Sequence, residues 1–498
     1  MIKVQSTTSF LPVWVVLFPL VMTFIIYYVE KDSERLRDSF SVIAAVGTFF
    51  SVAAMYPYIV AGKVLVYELF EIIPGLSITF RVDVLGFSLA ALSSFVWMLV
   101  TIYSLDYMSH EHAQNRYYPT LIFVLSACLG VFVAGDLFTL FIFFELMSVF
   151  SYILVVHEET PEAMKAGYKY IIMAIIGGLA LLLSLIITYE IAGTVNLAET
   201  GMINEASTLA LIAFIGYLIG FGMKAGMFPL HVWLPDAHPV APSPASALLS
   251  GIMLKTGAYG LIRVIFGVYN PEMLRAAQWN YIITVLAIIT IVLGSAVALT
   301  QYDLKRRLAY SSVGQMGYIL LGMSLLTENA VMGNIFHIFS HAFMKSCLFM
   351  AAGAIIMKTG KRNIRELAGI GRQMPVTMIA FSLAAVAMIG VPPFNGFLSK
   401  WILGIGAIEA GVPHYIWILL LSSLMNGLYY LPIILTAFFE GETDTAGDKV
   451  SLVNEVPYKM LVPMAILAVG CLMFGLFPAN VPFDLSRLAT DLVLGIVR

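Results

Sequence analysis

Lys224-Ala225-Gly226-Met227-Phe228-Pro229-Leu230-His231-Val232-Trp233-Leu234-Pro235-Asp236-Ala237-His238-Pro239 sets an amine and three prolines inside an otherwise apolar, membrane-length run. Pro242 and Pro244 follow closely. Proline removes a backbone donor and clashes with the turn before it, so the run predicts a helix broken just after Lys224. At membrane depth, freed backbone groups are tolerated only inside protein or beside a water-filled cavity. A second stretch of this kind, Val391-Pro392-Pro393-Phe394-Asn395-Gly396, precedes Lys400. Discontinuous helices in corresponding places of two halves point to a transport site built from inverted repeats. Ordinary proline kinks are the plainer reading, but kinks have no need of a lysine beside each of them.

The rest of the chain agrees with a membrane setting. Of its 498 residues, 60% are hydrophobic and 11% charged, with a mean hydropathy of +0.91. Soluble domains carry about 25% charged residues. A net charge of −3 gives no basis for nucleic-acid binding. Cys128, Cys347 and Cys471 lie in separate apolar segments with no CxxC or Cys/His cluster, so no iron–sulfur, zinc or disulfide framework, and no cofactor or metal, is expected. The apolar run near Phe10 to Val29 is too long for a signal-peptide core and reads as a first span.

A window suited to roughly 30 Å of hydrocarbon predicts an all-α integral membrane protein of about fourteen spans. They begin near residues 9, 39, 83, 117, 136, 165, 207, 244, 280, 306, 330, 374, 413 and 460. The breaks then fall in spans seven and twelve. Two five-helix units, spans 4–8 (117–268) and 9–13 (280–440), put each break fourth in its unit. Five is odd, so one unit is inverted relative to the other. Residues 1–116 supply three leading helices and 460–480 the last one. No connection is long enough for a soluble catalytic domain. Val66–Phe80, with its Pro74–Gly75 turn, reads as a small extracytoplasmic hairpin. Alternate connections, from Lys31, Arg35 and Arg37 through to Lys449 and Lys459, carry sixteen of the 27 Lys and Arg residues. The other side, Lys3 and Arg498 included, carries six, and five lie within spans. Positive-inside bias places both termini outside the cytoplasm of a prokaryotic cell.

Seven ionisable side chains sit inside these spans: Glu145, Lys224, Lys255, His337, His341, Lys345 and Lys400. A charge at the bilayer centre costs at least about 2.5 kcal/mol, so such groups face a protein interior or water. An acid, two imidazoles and four amines together suggest a route for protons or small cations. Glu145 needs a cation near it, and Lys224 is the natural candidate; a static ion pair that fixes packing is the alternative. Gly216, Gly220 and Lys224 share one helix face, and the glycines allow close approach of a neighbouring helix. Lys255 has Gly251 and Thr256 beside it, which leave room for water. His337, His341 and Lys345 recur at i, i+4 and i+8, one stripe suited to shuttling protons. Haem is a poor alternative there, since i, i+4 residues reach one side only, and a dinuclear metal would want carboxylates. Lys400 follows the second break and is placed to end such a route on the outside. Lys305, Arg306 and Arg307 read as an interfacial anchor, with Lys305 a candidate entry residue. His231 and His238 flank the first break and are expected to face water. Asp236 and Arg263 read as structural.

Four segments resemble a known family. They are the quoted run from Lys224, Asp303-Leu304-Lys305-Arg306-Arg307-Leu308-Ala309-Tyr310-Ser311-Ser312, Ser340-His341-Ala342-Phe343-Met344-Lys345, and Gly390-Val391-Pro392-Pro393-Phe394-Asn395-Gly396-Phe397-Leu398-Ser399-Lys400. They are similar to the antiporter-like subunits shared by Mrp-type sodium/proton antiporters, respiratory complex I and membrane-bound hydrogenases, over about residues 80 to 440. The resemblance implies fourteen helices and the same inverted repeat. It implies a glutamate–lysine pair at Glu145 and Lys224, and a polar axis through Lys255 and the His337–Lys345 stripe to Lys400. It implies no redox centre in the chain itself, and partners that are other membrane subunits of such an assembly. The compact length is similar to the D-type subunit of Mrp antiporters and its hydrogenase counterparts. The expected function is proton translocation, with or without sodium exchange; the alternative is a pump driven by electron transfer in partner subunits. Rival readings are a self-sufficient solute transporter, a quinone- or haem-binding subunit and a structural scaffold.

Overall fold

The computed structural model describes residues 5–30, 33–198, 200–440, 454–477 and 481–496. Lys3, Lys31, Lys449 and Arg498 of the charge count lie outside these residues. Apolar runs become helices where a short polar side chain closes the first turn. Asp83 accepts from the Gly86 N–H, Asp136 from Thr139, Thr160 from Ala163, Ser207 from Ala210 and Asp303 from Arg306.

In chain order come β1 (Gln5–Thr8), α1 (Leu11–Val29), α2 (Glu34–Ala53), α3 (Tyr56–Val60), β2 (Lys63–Ile73), β3 (Leu76–Val82) and α4 (Val84–Tyr107). Then follow α5 (Gln114–Phe132), α6 (Leu137–Val155), α7 (Pro161–Ala192), α8 (Thr208–Ala225), α9 (Leu234–Val240), α10 (Ser243–Leu248), α11 (Leu254–Arg263) and α12 (Pro271–Ala276). The second half holds α13 (Asn280–Thr300), α14 (Leu304–Ser324), α15 (Glu328–Thr359), α16 (Ile370–Gln373), α17 (Pro375–Ile389), α18 (Asn395–Glu409), α19 (Tyr415–Phe439), α20 (Tyr458–Leu476) and α21 (Val481–Leu494).

Eleven helices among the described residues are long and apolar enough to cross a membrane, fewer than the fourteen expected. The difference has a physical cause. α5 opens on Gln114, Asn115 and Arg116, and α14 carries Ser311, Ser312, Gln315 and three glycines besides its basic start, so both are too polar to count although 19 and 21 residues long. The twelfth expected span is two pieces, α17 and α18, of 15 residues each. The helix α21 was not anticipated; it packs on α4 and α15. The membrane fold is helical as expected, with one small three-stranded sheet added to it. Its β2–β3 hairpin turns at Pro74–Gly75 as expected, while β1 joins β2 in parallel, pairing Gln5 with Lys63 and Thr8 with Val66.

Both predicted breaks are present and begin alike. α8 ends at Gly226 with φ 70°, and α17 at Gly390 with φ 89°, a left-handed conformation open to glycine. The Phe228–Pro229 and Pro392–Pro393 peptides are cis. Isolated bridges group the connections. Phe80–Ala134, Asp136–Asn196 and Ile203–Tyr269 tie loops at the sheet's end of the bundle, and Asp303–Asn363 ties two that carry basic residues. α15 is the central column, its apolar window wholly buried.

Candidate functional site

Two polar clusters occupy the helix interior. The first surrounds Lys224 near the C-terminus of α8. Small residues let α8 close on α7: a Cβ at Gly216 would lie 2.1 Å from Ser184 Oγ, and one at Gly220 2.7 Å from the Gly177 carbonyl. That approach delivers the fully buried Lys224 amine to α7, where it donates to the Tyr170 hydroxyl at 2.5 Å. Ser151 of α6 is a second acceptor at 3.4 Å, and Ser151 and Tyr170 are themselves 2.6 Å apart. Beyond the break the chain folds back: Trp233 packs on Tyr170 with ring centroids 4.8 Å apart, and its indole N–H donates to the Met223 carbonyl at 2.9 Å. The Met223 carbonyl so takes a second donor beside the Gly226 N–H at 3.2 Å.

Glu145 stands apart from this amine. Among the described residues it has no ion-pair partner within 4.0 Å, and its Oε1 is buried without a hydrogen-bond partner. The carboxylate rests in a notch at Gly178 of α7, where a Cβ would lie 2.5 Å from Oε2. The expected Glu145–Lys224 pair is therefore open in this structure.

The second cluster is built on α11, α14, α15 and α18. A π-helical turn, Leu249–Met253, precedes Lys255. Such turns leave a carbonyl without its regular partner, and the Lys255 amine donates to the Ser250 carbonyl at 2.6 Å. Lys255 Nζ also lies 2.7 Å from His341 Nδ1. The His341 and His337 rings stack 6.1 Å apart at 12°. His337 Nδ1 lies 2.8 Å from Ser399 Oγ, and Ser399 adjoins Lys400. Lys400, five residues into α18, reaches back across the break and donates to the Met388 and Ile389 carbonyls at 2.9 and 3.0 Å and to Ser423 Oγ at 3.0 Å. A cation suits the C-terminus of α17, where carbonyls and the helix dipole concentrate negative charge. Gly390 is the floor of this contact, since a Cβ there would be 3.2 Å from Lys400 Nζ.

Lys345 shares the helix face of His341 but turns to the other end. It donates to the Leu308 carbonyl at 2.9 Å and to Tyr430 Oη at 3.2 Å. Direct contacts thus join Lys255 to His341 and His337 to Ser399, with Lys345 on a branch. Among the described residues, no hydrogen bond joins the Lys224 cluster to the Lys255 cluster.

Lys305 is buried despite its place at a helix start, and donates to the Ala241 carbonyl at 2.5 Å. It lines a cavity of about 680 Å³ with Glu111, Glu158, Glu162, Asp303 and Arg362. Within reach of this mouth, ligand atoms of Glu111, His112 and Glu158 come within 4.8 Å of one another, an arrangement able to hold a cation. Burial and the neighbouring Glu158 carboxylate push the Glu111 carboxyl above its ordinary range.

The neighbouring residues read from sequence divide. His231 and His238 were expected to face water, but both are buried; His238 is sealed against Phe349, with centroids 4.6 Å apart, and neither ring nitrogen has a partner. Arg263 is structural, 2.7 Å from Asp83. Asp236 pairs with Lys169 at 2.5 Å and Arg306 at 3.3 Å near the surface. Tyr170, Ser151 and Ser399 are site residues that sequence reasoning missed. Only Ser399, beside Lys400, carried a signal.

Residues 134–426 match the family described as NADH:quinone oxidoreductase/Mrp antiporter, and residues 74–118 match the complex I chain 5 N-terminus. The chain is 32% identical over 490 residues to NADH-quinone oxidoreductase subunit N of Desulforudis audaxviator, covering 94% of this chain and 96% of that one. It is 29% identical to the D-type subunit of the Na(+)/H(+) antiporter of Alkalihalophilus pseudofirmus, covering 96% of each. A chain of the membrane-bound sulfane sulfur reductase, an archaeal respiratory membrane complex, superposes with a TM-score of 0.89 at 25% identity over 98% of both chains.

Proposed function

The chain belongs to the NADH:quinone oxidoreductase/Mrp antiporter transmembrane family, and we propose that it is the Mrp D-type member of a multisubunit complex that moves protons along its buried Lys/Glu/His axis. Like its relatives, it is an antiporter-like, cation- or proton-translocating membrane subunit. The observation that carries the finer reading is the pair of buried contacts, Lys255 to His341 at 2.7 Å and His337 to Ser399 at 2.8 Å, which lead toward Lys400.

In this reading a proton enters by the cavity at Lys305 and loads Lys255 or Lys224. Movement of Glu145 toward or away from Lys224 changes how firmly that amine holds its proton, at about 1.4 kcal/mol per tenfold. The proton travels by His341 and His337 to Lys400 and leaves outside. Adding α5, α14 and the broken α17–α18 pair to the eleven apolar helices gives fourteen spans, with spans 4–8 and 9–13 as inverted repeats. The basic connections gathered around Asp303 and Asn363 support a cytoplasmic location for that end, and so extracytoplasmic termini.

The second reading, a proton-pumping subunit of a membrane-bound hydrogenase or complex I-type oxidoreductase, is favoured by the 32% identity to the quinone oxidoreductase relative. Mass spectrometry of the intact complex separates the two. Small membrane subunits alone support an antiporter, and iron–sulfur or nickel–iron partners support a redox-driven pump. The mechanism is tested with Lys224→Ala and Glu145→Ala in the assembled complex, both expected to abolish coupled transport. Near-normal transport by either variant removes that residue from the route.

A further inference from the structure

The connections from α4 to α5 and from α6 to α7 meet beside the cavity at Lys305, and a pair of histidines clasps them. His112 Nε2 lies 3.1 Å from the His157 carbonyl, and His157 Nε2 lies 3.0 Å from the His112 carbonyl. A carbonyl only accepts, so each Nε2 carries the proton and donates. Arg116 adds a third bond across the gap, to the same His157 carbonyl at 2.8 Å. His157 is fully buried and anchors the clasp, while His112 is exposed.

The clasp has two chemical consequences. Neutral imidazole holds one ring proton, so His112, with that proton on Nε2, keeps a bare lone pair at Nδ1. Metal-binding histidines are commonly fixed in this way, with the other ring N–H given to a backbone carbonyl. Glu111 precedes His112 and Glu158 follows His157, so joining the histidines also brings the two acids together. Ligand atoms of Glu111, His112 and Glu158 all lie within 4.8 Å of one another. Among the described residues neither carboxylate has an ion-pair partner within 4.0 Å. The cations that line the same cavity are engaged elsewhere: Arg306 by Asp236, Arg362 by Asp303 and the Lys305 amine by the Ala241 carbonyl.

We propose that Glu111, His112 and Glu158 form a binding site for a divalent transition-metal ion, zinc above all, and that filling it closes the mouth of the cavity. Closure rests on the reading of this cavity as the proton entrance. One nitrogen and two oxygens, with positions left open for water, are a ligand set that zinc accepts. Its bonds of about 2.0–2.2 Å set tetrahedral ligands about 3.4 Å apart, so the three groups need to draw in by about 1.4 Å at most. Two glutamate ends can supply that movement. Calcium and magnesium take six or more oxygen ligands and are poorly served by a ring nitrogen. A filled site ties the two connections together and sets a divalent charge beside Lys305, which opposes the arrival of a proton.

Carbethoxylation of histidine by diethyl pyrocarbonate, read by mass spectrometry on the intact complex, tests the site with zinc alone as the probe. Micromolar zinc is expected to protect His112, whose lone pair it takes, while the exposed His110 and His414 label equally with and without it. Glu158→Gln keeps the shape and drops the charge, and should raise the zinc needed for protection at least tenfold. Proton uptake into inverted vesicles, which turn this mouth outward, should slow about tenfold or more at saturating zinc, with Glu158→Gln needing correspondingly more. The site is overturned if zinc leaves the labelling of His112 unchanged, if His110 is protected alongside it, or if magnesium protects as well as zinc. Protection of His112 with uptake unchanged overturns the closing of the mouth. The wild-type labelling does not depend on any variant folding. If Lys224→Ala and Glu145→Ala both transport normally, the functional reading fails, and the protection of His112 still decides whether the site takes zinc.

Discussion

Replacing Tyr170 by phenylalanine removes one hydroxyl from the Lys224 cluster and keeps the ring that packs on Trp233 at 4.8 Å. The Lys224 amine then loses its 2.5 Å acceptor, and the remaining one, Ser151 Oγ, is at the outer limit of a hydrogen bond at 3.4 Å. A hydrogen bond to a charged group is worth about 1.5–3 kcal/mol net. At about 1.36 kcal/mol per tenfold, a cycle in which Lys224 must hold a proton once slows roughly ten- to a hundredfold. The assay is proton uptake into inverted vesicles carrying the intact complex, followed with a pH-sensitive dye and normalised to assembled complex on a native gel. Tyr170→Phe running within about twofold of wild type, alongside an inactive Lys224→Ala, would show that the hydroxyl does not hold the amine in the working state.

Gly178→Ala introduces a Cβ 2.5 Å from Glu145 Oε2, so the carboxylate must leave its notch while the fold, which meets only the end of a flexible side chain, stays intact. Assembly is expected to be normal and transport impaired; unaltered transport would make the position of Glu145 irrelevant. His157 lies outside the spans, and burial together with the Arg116 and His112 charges pushes its imidazole down to about 4. A depressed base contributes stability that is complete above its ordinary value near 6.5 and lost as pH falls toward about 4. His157→Gln should therefore flatten the acid side of a thermal-stability profile between those values, and an unchanged slope would assign the acid loss to other groups.

How much of this was legible in the sequence depended on whether the signal was local. The breaks after Lys224 and before Lys400 were readable because proline and glycine act on their own backbone, and the structure interrupts the helices at Gly226 and Gly390. The Gly216–Gly220 face was readable for the same reason. Partners across helices were not. Nothing near Tyr170 announced that it would receive the Lys224 amine, and Glu145 settled in a notch made by a glycine on another helix. His238 stands among prolines that suggested a water-facing break, but the chain folds over it and Phe349 closes the site. The span count fell short where polar and small side chains run through a helix, as Ser311, Ser312 and Gln315 do in α14.

The π-helical turn at Leu249–Met253 makes the acceptor of the Lys255 amine a matter of counting. Such a turn is one residue longer than the regular helix it replaces. Removing one of its five residues would close it into a regular turn and leave the helix beyond in phase, yet change the backbone pairing around the Ser250 carbonyl that receives the Lys255 amine. A homologue lacking that extra residue would keep its lysine in an alignment and lose the carbonyl that meets the amine here. The acceptor is therefore encoded as spacing as much as composition, and a comparison of relatives that scores only which residues are present would miss its loss.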